Sequence, residues 1–166
     1  DESNVMSIGG RTANAQLPAD LIAHLYKTFN PVMLAELRQD ADPVSITLFG
    51  EGYGAGIQKG SAYRPDKGFV LFDVLIGDRF WLDDSAVTSI ALRLNIPRVP
   101  VIGRGWKLSD IIEFVKVGQK SVLAEGRCDM EGVVARTIEP LFDNRGNRLI
   151  IKLKTGDYRS ATPCQK

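Results

Sequence analysis

The spacing of apolar positions changes several times along the chain, and each change marks an element. In residues 17–41, LPADLIAHLYKTFNPVMLAELRQDA, Leu21, Ile22, Leu25 and Phe29 recur at the 3.6-residue period of one helix face. Pro18 suits a first helical turn, and Pro31 restarts or kinks the helix. Residues 44–50, VSITLFG, are mostly apolar and predict a buried strand. The next stretch, EGYGAGIQKG (51–60), carries four glycines and reads as turn-rich backbone able to approach a ligand closely. FVLFDVLIG (69–77) predicts a second strand, which pairs with DRFWL (78–82) through a tight turn at Gly77-Asp78. A helix is expected from Asp84 to Asn95, N-capped by Asp84 or Ser85, and then a short strand and loop over RVPVIGRG (98–105). Another helix, opened by Lys107 or Ser109, runs through Val117 and stops at Gly118. EGVVARTIE (131–139) and NRLIIKLK (147–154) predict two strands of a hairpin turning at Asp143-Asn144-Arg145-Gly146.

Strands and helices alternate without a regular βαβ rhythm, and several strands are joined by hairpins. That order predicts an α+β fold with mainly antiparallel sheets rather than a doubly wound parallel one. With 166 residues and no clear internal linker, the expectation is one domain over 1–159, with a linker-like tail, SATPCQK, at 160–166. Composition narrows the function classes. The net charge of +1 gives no global basic field, so any polyanion must be met by local clusters. Cys128 and Cys164 are far apart and read as free thiols in a reducing, cytoplasmic setting, or a host cytoplasm if the chain is virus- or phage-encoded. No apolar run approaches the ~20 residues that cross a bilayer.

A few residues stand out chemically. Lys152 and Lys154 in IIKLK share one face of an alternating strand, with Ile151 and Leu153 on the other. Neighbouring ammonium groups repel, which a polyanion between them would relieve; a lysine-defended edge strand is the plainer alternative. Glu51 lies at a strand end before the glycines, where a carboxylate can hold a ribose or a metal, or simply face water. Asp73 interrupts an apolar strand, costly unless paired or facing a polar cleft. Alternation sends Phe72 to the opposite face, so one of the two belongs in the core. Glu131 opens the VVAR strand and offers oxygen to a hard cation, or else pairs with an arginine on the surface. His24 is the only histidine, which argues against His-based triads and His-rich metal sites.

Taken in order, FGEGYGAGIQKG, FVLFDV, EGVVAR and IIKLK resemble motifs III, IIIa, IV and V of the covalent nucleotidyltransferases: ATP-dependent RNA ligases, DNA ligases and mRNA capping enzymes. The nearest pattern is that of RNA ligases sealing nicked RNA, FGE…iq.g…Y…F.lFDV…EGvV…KlK, and GGRTANAQLP resembles their arginine-bearing segment. The resemblance covers nearly the whole chain. It implies an ATP-grasp-like nucleotidyltransferase domain, with antiparallel sheets flanked by helices and the nucleotide in a cleft between them. It further implies that Arg11 contacts the nucleotide phosphate or the 3′-OH end region, Glu51 holds the ribose, Phe72 stacks on adenine and Asp73 adjoins the site. Glu131 would bind Mg²⁺ (or Mn²⁺) or help position the lysine nucleophile, and Lys152 and Lys154 would contact the α-phosphate. RNA ends, in RNA repair, would be the partner, with Arg104, Lys107, Arg145 and Arg148 as candidate RNA contacts and a monomer expected.

The chain departs from the family at one point. The lysine that such enzymes adenylate lies in KxDG or KxHG, and none of the lysines here is followed by that pattern. In the family the motif precedes the GRT segment, so the expectation is a chain that begins after it; the opening DESNVMSIGG is not an initiator sequence. The alternatives are a DNA ligase or guanylyltransferase core, and a non-catalytic ATP- or RNA-binding module.

Overall fold

Leu21 and Leu25 on one side of the first helix, and Phe29 at its C-cap, are buried, as their spacing predicts. The computed structural model describes residues 6–12, 14–38, 45–57, 63–124 and 128–158; the expected tail at 160–166 lies outside them. Its elements are α1 (Ala19–Thr28), α2 (Pro31–Arg38), β1 (Ile46–Gly54), β2 (Lys67–Ile76), β3 (Phe80–Trp81), α3 (Asp84–Arg93), α4 (Leu108–Val117), β4 (Gly132–Arg136) and β5 (Ile150–Lys154). By its contacts the chain divides into two compact units, Asp1–Val99 and Pro100–Lys166.

In the first unit the long helical pattern is split into two helices. Pro31 cannot donate a backbone hydrogen bond and takes the first position of α2, while the Asn30 carboxamide oxygen accepts from the Met33 N–H at 3.0 Å. β1, β2 and β3 form an antiparallel sheet in that order. The expected turn-rich stretch after Gly50 is corrected: β1 continues to Gly54, so Glu51 sits inside a strand. Its alternation has a packing cause. A Cβ on Gly50 would run into the Phe69 ring and come within 2.6 Å of the Val70 carbonyl oxygen, and one on Gly52 would meet Leu21 at 2.7 Å. These two glycines make room for α1 and a neighbouring ring rather than for a ligand. At Gly54, φ is +111° and a Cβ would collide with the Asp66 carbonyl, so glycine is required by both conformation and space.

β2 carries a bulge. Phe49 pairs with Asp73 but Gly50 pairs with Leu71, which leaves Phe72 as the extra residue. Leu71 and Val74, on either side, both reach the core, where they and Val87 are fully buried among residues of α1, α2 and α3. The α3 cap is Asp83, not Asp84 or Ser85: its carboxylate accepts from the Ala86 N–H and the Ser85 hydroxyl, each at 2.8 Å. Asp84 instead forms a partly buried ion pair with Arg98, which also donates to the Thr88 hydroxyl at 2.7 Å. The strand expected in 98–105 is reduced to a parallel bridge at Arg98. There the Leu71 N–H donates to Pro97 O and the Val99 N–H donates to Leu71 O, both at 2.9 Å.

In the second unit α4 packs on β5 and buries Val115 completely. Lys107 precedes α4, where the Asp110 carboxylate accepts from its N–H at 2.9 Å, and Gly118 closes the helix at φ +73°. β4 and β5 are antiparallel and shorter than the patterns 131–139 and 147–154. Between them Phe142 bridges Arg148, and the Asp143 carboxylate accepts from the backbone of Arg145 and Asn147, shaping the tip at the expected turn. The α+β expectation with antiparallel sheets therefore holds. Among the described residues no helix is long and apolar enough to cross a membrane.

Candidate functional site

Directly paired residues of an antiparallel sheet project to the same side. In the first unit, Ile46, Leu48, Gly50 and Gly52 of β1 thus share a face with Ile76, Val74, Leu71 and Phe69 of β2, the face that meets the core. The opposite face carries Thr47, Phe49, Glu51 and Tyr53 with Leu75, Asp73, Val70 and Gly68. Trp81 of β3 joins it by pairing with Leu75, and its ring lies 5.0 Å from that of Phe49. Glu51 and Asp73 therefore stand on one sheet face, bordered by Phe49, Tyr53 and Trp81. These aromatic rings were not singled out from the sequence, although the strict alternation F-G-E-G-Y-G already places Phe49, Glu51 and Tyr53 together.

The expectation for Phe72 and Asp73 needs a correction in its detail. One of the two is buried, and it is the acid: Asp73 is 4% exposed and Phe72 39%. The bulge explains this, because the extra residue lets Leu71 and Val74 both point to the core while Phe72 is left outside the ladder. Asp73 is not without a partner in its buried setting. Phe72 offers an accessible ring on a backbone anchored at Leu71 by the 97–99 segment.

In the second unit the predicted residues meet directly. Gly132 pairs with Lys154 and Val134 with Lys152, so both lysines lie on one face of the β4–β5 ladder, with Ile151 and Leu153 on the other. The Lys154 ammonium is 3.5 Å from the Glu131 carboxylate, and both side chains are at least half exposed. Glu131 is not in β4 but immediately before it, and its partner is this lysine rather than an arginine. The close approach has a backbone cause: a Cβ at Gly132 would collide with the Leu153 carbonyl and lie 2.8 Å from the Lys154 Cα. The unit thus presents one carboxylate and two ammonium groups side by side, a set able to grip phosphate oxygens and one divalent cation.

The remaining predicted residues are less organised. Arg11 is exposed in a bend at residues 11–12. Arg104 and Lys107 are exposed before α4, Arg145 is exposed at the hairpin tip and Arg148 is half-buried at the Phe142 bridge. Among the described residues, no group of three or more His, Cys, Asp or Glu gathers as a metal cage.

The sequence pattern of the RNA ligase family matches residues 9–154. The chain belongs to the RNA ligase family. No curated protein sequence matches it. Among solved structures it resembles the Naegleria gruberi RNA ligase with PPi, at a TM-score of 0.59 and 18% identity over 87% of this chain. That likeness concerns the fold, and this RNA ligase-family chain spans 41% of the length of the Naegleria protein. The family match ends at Lys154, so it takes in Glu51, the Phe72–Asp73 pair, Glu131 and both lysines.

Proposed function

We propose that the chain is the nucleotidyltransferase core of an ATP-dependent RNA ligase that joins 3′-OH and 5′-phosphate RNA ends. The observation that carries this reading is the Glu131–Lys154 pair at 3.5 Å with Lys152 on the same face, within a chain of the RNA ligase family. Ligation of this kind proceeds by in-line displacements at phosphorus, first at the α-phosphate of ATP, then at an adenylated 5′ end. Such steps are helped chiefly by positioning and by neutralising charge on nonbridging oxygens. Lys152 and Lys154 would do this as point charges that need no proton transfer. Glu51 is assigned to the ribose, Phe72 to stacking on the adenine and Arg11 to a phosphate.

Mg²⁺ binds commonly through one or two carboxylates, completed by phosphate oxygens and water, so a lone Glu131 beside phosphate-binding lysines fits it. Glu131 would hold the ion, which when bound supplies further positive charge at the phosphate. The KxDG or KxHG nucleophile is not among the 166 residues, so the stretch as given is assigned nucleotide and RNA binding without self-adenylation. The second reading is a non-catalytic ATP- or RNA-binding module that uses the same carboxylate and lysines to hold a polyanion.

Calorimetry with Mg²⁺–ATP and Mg²⁺–GTP tests the reading. ATP is expected to bind in preference to GTP, and Lys154→Ala to weaken ATP by about tenfold, the worth of one charge-assisted hydrogen bond. No binding of either nucleotide, or unchanged affinity in the variant, would remove the phosphate role. Incubation with labelled ATP should leave no acid-stable adduct. Sealing of a 5′-adenylated nick in RNA, but not in DNA, then separates an RNA ligase core from the binding module.

A further inference from the structure

Among the described residues two polar side chains are buried, Asp73 and Thr155, and no motif accounts for the second. Thr155 follows Lys154 and opens a single 3₁₀ turn, Thr155–Asp157. It is 4% exposed, although its neighbours Lys154 and Gly156 are exposed. Its backbone N–H donates to the Glu131 carbonyl at 2.8 Å, and its hydroxyl donates to the Met130 carbonyl at 2.9 Å. One residue thus holds two successive carbonyls of the segment that delivers Glu131. That segment lies outside β4: on one side Asp129 bridges Lys120 and the Met130 N–H donates to the Gln119 carbonyl at 2.8 Å, while on the side of Lys154 it is tied by the two Thr155 bonds and the close backbone approach at Gly132. The buried hydroxyl would be an expensive group to place without that acceptor.

We propose that Thr155 is a positioning residue of the ligase site: its hydroxyl fixes the Met130–Glu131 backbone so that the Glu131 carboxylate stays opposite the Lys154 ammonium. This rests on the proposed phosphate role of that pair, and it adds a residue that touches neither substrate nor reacting atom. Half-exposed charged side chains keep much rotamer freedom, so their register is set by where their backbones are held. A misplacement of a supporting backbone by about 1 Å can cost up to ~10²-fold in function.

The experiment compares Thr155→Val, which keeps the shape and removes the hydroxyl, with Thr155→Ser, which keeps the hydroxyl, in the 166-residue chain. Two readouts are taken. The first is the ¹³C shift of the Glu131 carboxyl carbon, measured with and without Lys154→Ala in each background; it reports the pair itself and requires no ligase activity. The second is the affinity for Mg²⁺–ATP. Removing the Lys154 charge is expected to move the Glu131 signal in the wild type and in Thr155→Ser, but little in Thr155→Val, which also binds ATP on the order of tenfold more weakly. Thr155→Ala serves in the same way should the valine variant fail to fold. If Thr155→Val and Thr155→Ala keep both the Glu131–Lys154 response and the affinity, the positioning role is overturned. If Lys154→Ala itself leaves ATP affinity unchanged, the phosphate role has failed, and the assignment of Thr155 to a ligase site fails with it.

Discussion

At the scale of single residues, adjacent positions on β2 separate binding from stability. Phe72 has been displaced from the ladder by the bulge and exposes its ring, whereas Asp73 beside it is almost fully buried. Phe72 is 39% exposed, so Phe72→Ala also removes some packed surface, and its melting temperature should fall modestly. If the ring stacks on a base, its loss should weaken ATP by about 5- to 100-fold, the range of ~1–3 kcal/mol found for base–aromatic stacking. Asp73→Ala should do the reverse in the first instance, lowering stability by about 1–3 kcal/mol by stranding the polar group that meets it. Thermal melts and ATP titrations on both variants check the pair. A Phe72→Ala variant with full affinity would take the ring out of the nucleotide site.

At the scale of elements, the glycines of β1 carry the clearest stability prediction. Gly52→Ala pushes a methyl group against the end of the Leu21 side chain, which can turn aside, and should cost about 1 kcal/mol. Gly50→Ala meets the Phe69 ring and a backbone carbonyl, neither of which can yield as easily, and should cost about 3 kcal/mol or more. Urea unfolding gives both values, and their order is the test. The helix α3 adds a pH dependence. Backbone donation from Ala86, then the Ser85 hydroxyl, holds the Asp83 carboxyl below its ordinary range. A depressed carboxylate contributes stability above its unfolded value, and that contribution is lost as pH falls through the folded value. The expected outcome is that Asp83→Asn, which keeps an acceptor for Ala86, flattens the acid limb of the stability profile below about pH 4.

Much of this level was legible from the pattern of the chain. The α1 stripe, the turn at Gly77, the stop at Gly118 and the hairpin at 143–146 all follow from local chemistry, and the structure contains each of them. What local chemistry could not carry was long-range. Gly52 reads as a turn former until Leu21 is seen to fill the space it leaves. Asp84 and Ser85 read as cap candidates, but Asp83 caps the helix and Arg98, fourteen positions on, claims Asp84 for an ion pair. Alternation places Phe72 opposite Asp73 correctly in principle, but a bulge is decided by both strands together. The site fared similarly. Motif order identifies Glu131 and Lys154 as chemistry-bearing residues, whereas their mutual contact and the hold of Thr155 on the backbone depend on strand register.

For the whole molecule, a net charge of +1 conceals an uneven distribution. Residues 1–99 hold nine Lys and Arg against twelve Asp and Glu, a balance of −3, whereas residues 100–166 hold twelve against eight, a balance of +4. A polyanion such as RNA is therefore attracted by the second unit and repelled by the first, even though the chain as a whole is close to neutral. Affinity for RNA should then fall with salt, in proportion to the number of phosphates that the second unit neutralises. Lys107 and Arg145, exposed before α4 and at the hairpin tip, are two of the cations in question. Each lost phosphate contact should reduce the slope of log affinity against log salt by about 0.7 on single strands and about 0.9 on duplex. Lys107→Ala and Arg145→Ala are expected to show that change, with the largest loss of affinity at low salt. Lys27→Ala and Arg79→Ala, exposed cations of the first unit, should leave the slope unaltered. Filter binding of nicked duplex RNA across a salt series gives all four slopes, and equal changes in the two pairs would show that RNA is not held by the basic unit.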